Sequence, residues 1–147
     1  MRTPTRTRNA GFTLIELLVV VAIIGLLTAA ATAGFNVIRQ RSRDAKRVSD
    51  AKTLQKALAL YFTSKSSYPN PTAAGGVCLT NTDAISTMLK NENAIAKVPT
   101  DPTVTCVSDP TCCLLYASTD GTTYSLRYTL ESTSGVGTSG NHSLGPI

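Results

Sequence analysis

The chain has 147 residues, of which 42% are hydrophobic and 16% charged, with no Trp. That length suits one ordinary domain, and the composition excludes wholesale disorder, which needs low hydrophobicity and high charge. The formal net charge is +5, from fourteen basic and nine acidic residues, but it is local to two places. Arg2, Arg6 and Arg8 precede an apolar run, and Arg39, Arg41, Arg43, Lys46, Arg47, Lys52 and Lys56 follow it, whereas from Lys65 onward four bases face six acids. Bases gathered at the ends of an apolar segment speak for membrane topology and surface packing before nucleic acid. The apolar residues crowd between Phe12 and Ile38, which excludes a purely cytosolic globular enzyme as a first expectation.

Residues 1–11 are short, basic, free of acids and contain Pro4; such a stretch buries nothing and reads as a processed leader. The run from Phe12 to Ile38 covers 27 residues, roughly 40 Å as a helix against a bilayer core of ~30 Å. It is long enough to cross a membrane once. Glu16 is its sole ionisable residue, and an acid within a spanning segment costs about a few kcal/mol unless it is paired or near the interface.

Gly11-Phe12-Thr13-Leu14-Ile15-Glu16, behind a basic leader and ahead of an apolar run, resembles the processing site of type IV pilins and type II secretion pseudopilins. The resemblance implies that a prepilin peptidase cuts between Gly11 and Phe12 and methylates the new amine of Phe12. It also implies that Glu16 serves in subunit docking. Glycine leaves the backbone open to a protease. The new ammonium sits at a helix N-terminus, where the dipole disfavours positive charge and a nearby Glu compensates it. In a filament, Glu16 of an incoming subunit would meet the Phe12 ammonium of its neighbour in a low-dielectric core, where an unpaired charge is costly. Two alternatives compete. A secretory signal peptide would use Ala29-Ala30-Ala31 or Ala31-Thr32-Ala33 as its small-x-small site, and an uncleaved signal anchor would leave Glu16 without a purpose. No Cys lies near the run, which excludes a lipoprotein.

Val37, Arg41, Ala45, Val48, Ala51, Leu54, Leu58 and Tyr61 recur at spacings of three and four, so an amphipathic helix is expected to continue the apolar one. No Pro occurs between Phe12 and Lys65, and a helix from Phe12 to about Ser64 would measure roughly 80 Å. Gly25 and Gly34 are its weak points, each costing ~1 kcal/mol relative to Ala. The stretch Arg43 to Asp50, followed by Leu54, Ala57-Leu58, Tyr61 and Tyr68-Pro69, also resembles major pseudopilins of the G-like kind. There the resemblance implies a Tyr-Pro pair docked against the helix.

Ser64 to Gly76 reads as a loop by its turn chemistry. Asn81 or Thr82 is the expected cap of a short helix running through Lys90, with Ile85, Met88 and Leu89 on one face. Cys112–Ser118 and Thr123–Glu131 flank an Asp120-Gly121 turn and predict a β-hairpin. A third strand is expected near Thr103–Val107, and the Ser-, Gly- and Thr-rich residues 135–147 are expected to form a flexible tail. The expected fold is α+β: a long N-terminal helix, half transmembrane and half amphipathic, packed on a small antiparallel β-sheet head. Its segments would be a leader (1–11), a membrane or filament-core helix (12–38), a head (39–134) and the tail.

Cys78, Cys106, Cys112 and Cys113 all fall beyond the membrane in this topology, where an oxidising compartment favours disulfides. A bridge between Cys112 and Cys113 is disfavoured because strand neighbours point to opposite faces. The arrangement favoured is Cys106 with Cys112 and Cys78 with Cys113. A zinc site is the competing use, but paired C-x-x-C knuckles are missing. His142 lacks a nucleophile or carboxylate context, Asp101, Asp109 and Asp120 do not form a contiguous calcium-loop pattern, and Asn141-His142-Ser143 is weak evidence for glycosylation. No enzyme emerges, and no cofactor or metal is expected. The basic stripe from Arg39 to Lys56 would face lipid headgroups or acids on neighbouring subunits; DNA is its alternative ligand, but no interleaved aromatics or nucleic-acid fold accompany it.

The function expected is therefore a structural subunit. It would be held in the inner membrane with a cytoplasmic N-terminus, then cleaved, methylated and polymerised into an extracellular pilus or secretion pseudopilus. By resemblance, an assembly ATPase and a membrane platform protein would drive the step. A monomeric membrane-anchored binding module, an adhesin or DNA receptor, is the alternative.

Overall fold

The computed structural model describes residues 11–70, 75–106 and 109–147; the expected leader lies outside them apart from Gly11. Two compact units divide between Asn36 and Val37. One helix, α1 (Leu14–Lys65), runs from the first into the second. It starts at a capping box: the backbone N–H and hydroxyl of Thr13 donate to Glu16 Oε2 at 2.8 and 2.7 Å, and Glu16 N donates back to Thr13 Oγ1 at 3.3 Å, which satisfies donors that a helix start otherwise leaves orphaned. It stops where Ser66 takes a left-handed conformation, φ 57°, just before Tyr68-Pro69.

In the first unit the helix is apolar on all sides and exposed: Phe12 is 92% accessible, Leu14 80% and Leu26 73%. Its length and composition are enough to cross a bilayer. The second unit has a core of its own. Ala51, Leu54 and Leu58 are buried at spacings of three and four, joined by Tyr68, Leu79, Ile85, Leu89, Val98, Leu114, Tyr116, Leu126 and others; each fully buried Leu stabilises the fold by roughly 1.5–3 kcal/mol.

The core stripe of α1 differs from the expected one at its N-terminal end. Arg41 and Ala45 are exposed, whereas Asp44 and Arg47 are fully buried. The turn of helix expected to supply apolar and exposed charged residues supplies an ion-paired interior instead.

A four-stranded antiparallel sheet faces this stripe in the order β1 (Val77–Cys78), β2 (Leu115–Ala117), β3 (Ser125–Leu130) and β4 (Gly140–Leu144). In β3, Leu126, Tyr128 and Leu130 are buried in strict alternation, as a strand with one face on a core requires. The β2–β3 hairpin is the one the sequence predicts, with Leu115 opposite Arg127 and Ala117 opposite Ser125. Gly121 has φ 71°, and a Cβ there would meet Tyr68 O at 3.3 Å, so only glycine suits both the turn and its close approach to Tyr68.

Three expectations need correction. The segment from Thr103 forms a 3₁₀ turn, Val104–Cys106, rather than a strand; Asp101 Oδ1 accepts from Thr103 N and Thr103 O from Cys106 N, which tightens the chain before a ladder can form. Val107 lies outside the described residues. Residues 135–147 do not make a flexible tail, because β4 pairs with β3 from Leu144 opposite Leu126 to Gly140 opposite Leu130. An edge strand open to solvent needs few apolar residues, so its polar composition hid it. Finally, α2 (Ala84–Asn91) is capped by Asp83, whose carboxylate accepts from Ser86 N. Its buried face is Ile85, Ser86 and Leu89, and Met88 is exposed. Asn81 is instead left-handed, φ 69°, and braces the next loop by accepting from Val98 N through its side chain.

Candidate functional site

The first unit presents the residues expected to be processed. Gly11 and Phe12 precede the helix and are exposed. Phe12, Ile15, Glu16, Val19 and Val20 line one surface depression, so the aromatic residue and the lone acid share a face. Within the chain, Glu16 is held by Thr13. The pattern Thr13-x-x-Glu16 is a capping box readable from sequence, and it gives Glu16 a local purpose: it defines where the helix begins.

In the second unit the chemistry is a buried charge cluster. All five N–H groups of Arg47 are used. Nε and Nη2 grip Asp101 at 2.7 and 3.0 Å, Nη1 reaches Asp44 at 2.9 Å and Glu131 at 2.6 Å, and Nη2 also donates to Thr103 Oγ1 at 2.9 Å. Asp44 accepts four bonds, from Arg47, from the backbone N–H groups of Glu131 and Ser132, and from the Ser132 hydroxyl. Arg43 closes the cluster with a two-point grip on Glu131. The cluster ties α1 to the 101–103 turn and to the chain leaving β3. Arg43 first, and then Arg47 against an opposing cost of burial, hold the Glu131 carboxyl down to about 2. Burial opposes ionisation of Asp44, but the bonds from Glu131, Ser132 and Arg47 outweigh it and keep its carboxyl below the usual range.

This cluster corrects the expectation for the basic stripe. Arg43 and Arg47 are ion-paired within the chain, and Arg47, buried with all its donors used, is not available to headgroups, neighbouring subunits or nucleic acid. Arg39, Arg41, Lys46, Lys52 and Lys56 are exposed. No apolar periodicity pointed to Asp44 and Arg47; the readable signal was the i, i+3 Asp–Arg spacing on a helix, which fits an exposed pair equally well.

The cysteines form two bridges, Cys78–Cys113 and Cys106–Cys112. The first joins β1 to the segment leading into β2, and the second closes a short loop. Asp101 spends both oxygens on Arg47, while Asp109 and Asp120 each accept from the following Thr residues in their own turns. The ring of His142, on β4, stacks on Tyr128 at 5.5 Å and bonds Thr138 O. Among the described residues no three metal-ligating side chains converge.

Residues 6–32 match the family model of the prokaryotic N-terminal methylation motif. The chain is 31% identical over 98 residues to the type II secretion system core protein G of Escherichia coli K12, covering 65% of this chain and 67% of that protein. The chain belongs to the type IV pilin and pseudopilin family. It is also 44% identical over 61 residues to the type IV major pilin protein PilA of Myxococcus xanthus and 37% identical over 70 residues to the fimbrial protein EcpC of Eikenella corrodens. Those matches take in 42% and 48% of this chain, but they span only 28% and 46% of the two relatives' own lengths. No solved structure matched. A long N-terminal helix followed by a small antiparallel sheet is the α+β layout expected of a pilin.

Proposed function

We propose that this chain is a filament subunit, made as a membrane-anchored precursor and assembled into a type IV pilus or a secretion pseudopilus. The observation that supports this most is the contrast between the two units. The second has a closed core, whereas the first exposes apolar side chains around the helix from Leu14 to Leu27 and at Phe12 and Phe35 on either side. A helix that is apolar all round belongs in lipid or in a packed bundle of its own kind. One segment serves both needs, first anchoring the precursor with its N-terminus in the cytoplasm and then forming the filament core.

A prepilin peptidase would remove residues 1–11, cutting between Gly11 and Phe12 and methylating the Phe12 amine. The new ammonium would then lie beside Glu16, on the face the two residues share. Residues 12–38 would form the core helix and the remainder the outward head. Moving an apolar helix out of lipid requires outside work, which an assembly ATPase and a membrane platform protein would supply. In the filament, Glu16 of one subunit pairs with the Phe12 ammonium of the next, since an unpaired carboxylate among apolar helices is costly and a paired one is tolerated. The work is assembly rather than catalysis.

Glu16→Ala is the direct test. The variant should be processed normally and stay in the membrane while polymers sheared from the cell surface disappear; wild-type polymer yield from it would overturn the docking role. Finding the unaltered chain only as membrane-held monomers would favour an anchored binding module instead.

A further inference from the structure

Pairing within the second unit leaves exposed charges of opposite sign at its two ends. Arg43 and Arg47 are matched by Glu131, Asp44 and Asp101, and Lys65 by Glu92. Arg39 and Arg41, at the start of this unit's share of α1, are exposed and have no ionic partner among the described residues. At the other end lies Asp120, exposed at the tip of the β2–β3 connection. Its neighbour Gly121 accepts a 2.7 Å bond from Tyr68 N, which places the tip against the chain just beyond the C-terminus of α1. Between Arg41 and Lys65 the helix rises roughly 36 Å, so these charges cannot meet within one copy.

Asp120 is fixed in place. Its Oδ1 accepts from Thr122 N at 2.9 Å and Thr123 N at 3.2 Å, and its Oδ2 accepts from Thr122 Oγ1 at 2.5 Å; Oδ2 keeps room for a further donor. Asp109 is exposed too, but it belongs to the opposite end of the sheet, where Thr111 O accepts from Thr129 Oγ1 near the Glu131 cluster. Exposed lysines lie along α1 between the two ends and Arg127 is exposed within β3, so these bases do not stand at the end of the unit opposite Asp120 as Arg39 and Arg41 do.

We infer that Asp120 of one copy docks at the turn of α1 that carries Arg39 and Arg41 on its two sides in the next copy, one of these arginines facing it, giving the head a head-to-tail ionic contact between copies of this chain. An open polymer needs two different, mutually complementary patches on each subunit, and opposite charges at opposite ends of the head meet that need. The inference rests on the filament reading and adds to it a contact in the head, separate from Glu16.

Charge exchange in the full-length chain, expressed in the producing cells, tests it. Asp120→Arg, and separately the pair Arg39→Glu and Arg41→Glu, should each lower the polymer recovered by shearing by roughly fivefold or more, since each converts an attraction into a repulsion repeated at every contact. The precursor pool in the membrane should not change. Combining all three substitutions should restore most of the polymer. Wild-type yield from either reversed variant, or no recovery in the combined one, would overturn the inference while leaving the filament reading intact. If the arginines hold lipid headgroups instead, their reversal alone would deplete the membrane pool and Asp120→Arg would be silent, which also overturns it. If the unaltered chain makes no polymer, the filament reading fails and this contact with it.

Discussion

Arg47 and Asp101 are joined by two nearly parallel hydrogen bonds of 2.7 and 3.0 Å between side chains that are 2% and 1% accessible. The two residues are far apart in sequence, so this grip fixes where the 101–103 turn lies against α1. Removing the guanidinium would strand Asp101 and Asp44 as buried charges. Arg47→Leu should therefore destabilise the folded head by about 3–5 kcal/mol, whereas Lys97→Ala, at an exposed site, should change it by about 0.5 kcal/mol or less. Thermal unfolding of the detergent-solubilised chain, followed by circular dichroism, measures both; equal effects would show that the cluster contributes little.

The same cluster makes stability depend on acid. Glu131 is held down to about 2 by Arg43 and Arg47, and Asp44 is also depressed. A carboxyl whose value is lower folded than unfolded adds stability that is complete above its ordinary unfolded range. That stability is lost as pH falls from about 4.5 toward about 2. The head should keep its unfolding temperature from neutral pH down to the ordinary carboxylate range and then lose it steeply. In Glu131→Gln the acid-dependent part of that loss should shrink, and an unchanged acid profile in the variant would contradict the assignment.

The two disulfides should differ in value. Cys78–Cys113 spans 35 residues and Cys106–Cys112 spans 6. Loop-closure entropy assigns them about 4 and about 2 kcal/mol respectively. Paired Cys→Ser variants, one bridge at a time, should show the larger drop in unfolding temperature for the pair at 78 and 113. The reverse order would mean that the short loop supports the fold through contacts rather than through chain entropy.

The elements legible in the sequence were those carried by strong local signals. The long helix follows from an apolar run and its continuation, free of Pro between Phe12 and Lys65, and the hairpin from Asp120-Gly121 between two β-rich stretches. Excluding the adjacent cysteine pair left two pairings, and the favoured one, Cys106 with Cys112 and Cys78 with Cys113, is the one the structure contains. What escaped depended on distant partners. Asp44 and Arg47 read as surface charge because their neutralising groups, Asp101 and Glu131, lie far along the chain. β1 has two residues, Val77 and Cys78, too few for any periodicity. β4 is an edge strand whose residues Gly140–Leu144 need no apolar pattern to pair with β3. In the N-terminal unit, the stretch holding Gly11, Phe12 and Glu16 was legible as part of the methylation motif over residues 6–32, since a motif is a local sequence pattern rather than a product of packing.

The account stands on where the mature chain begins. Intact-mass and N-terminal peptide mass spectrometry of the protein recovered from membranes and from sheared surface material measures this directly. The expected product lacks residues 1–11 and begins with Phe12 carrying one methyl group on its amine. A chain that still carries Met1, or one that begins near Thr32 or Gly34, would contradict the assignment of this protein as a processed filament subunit.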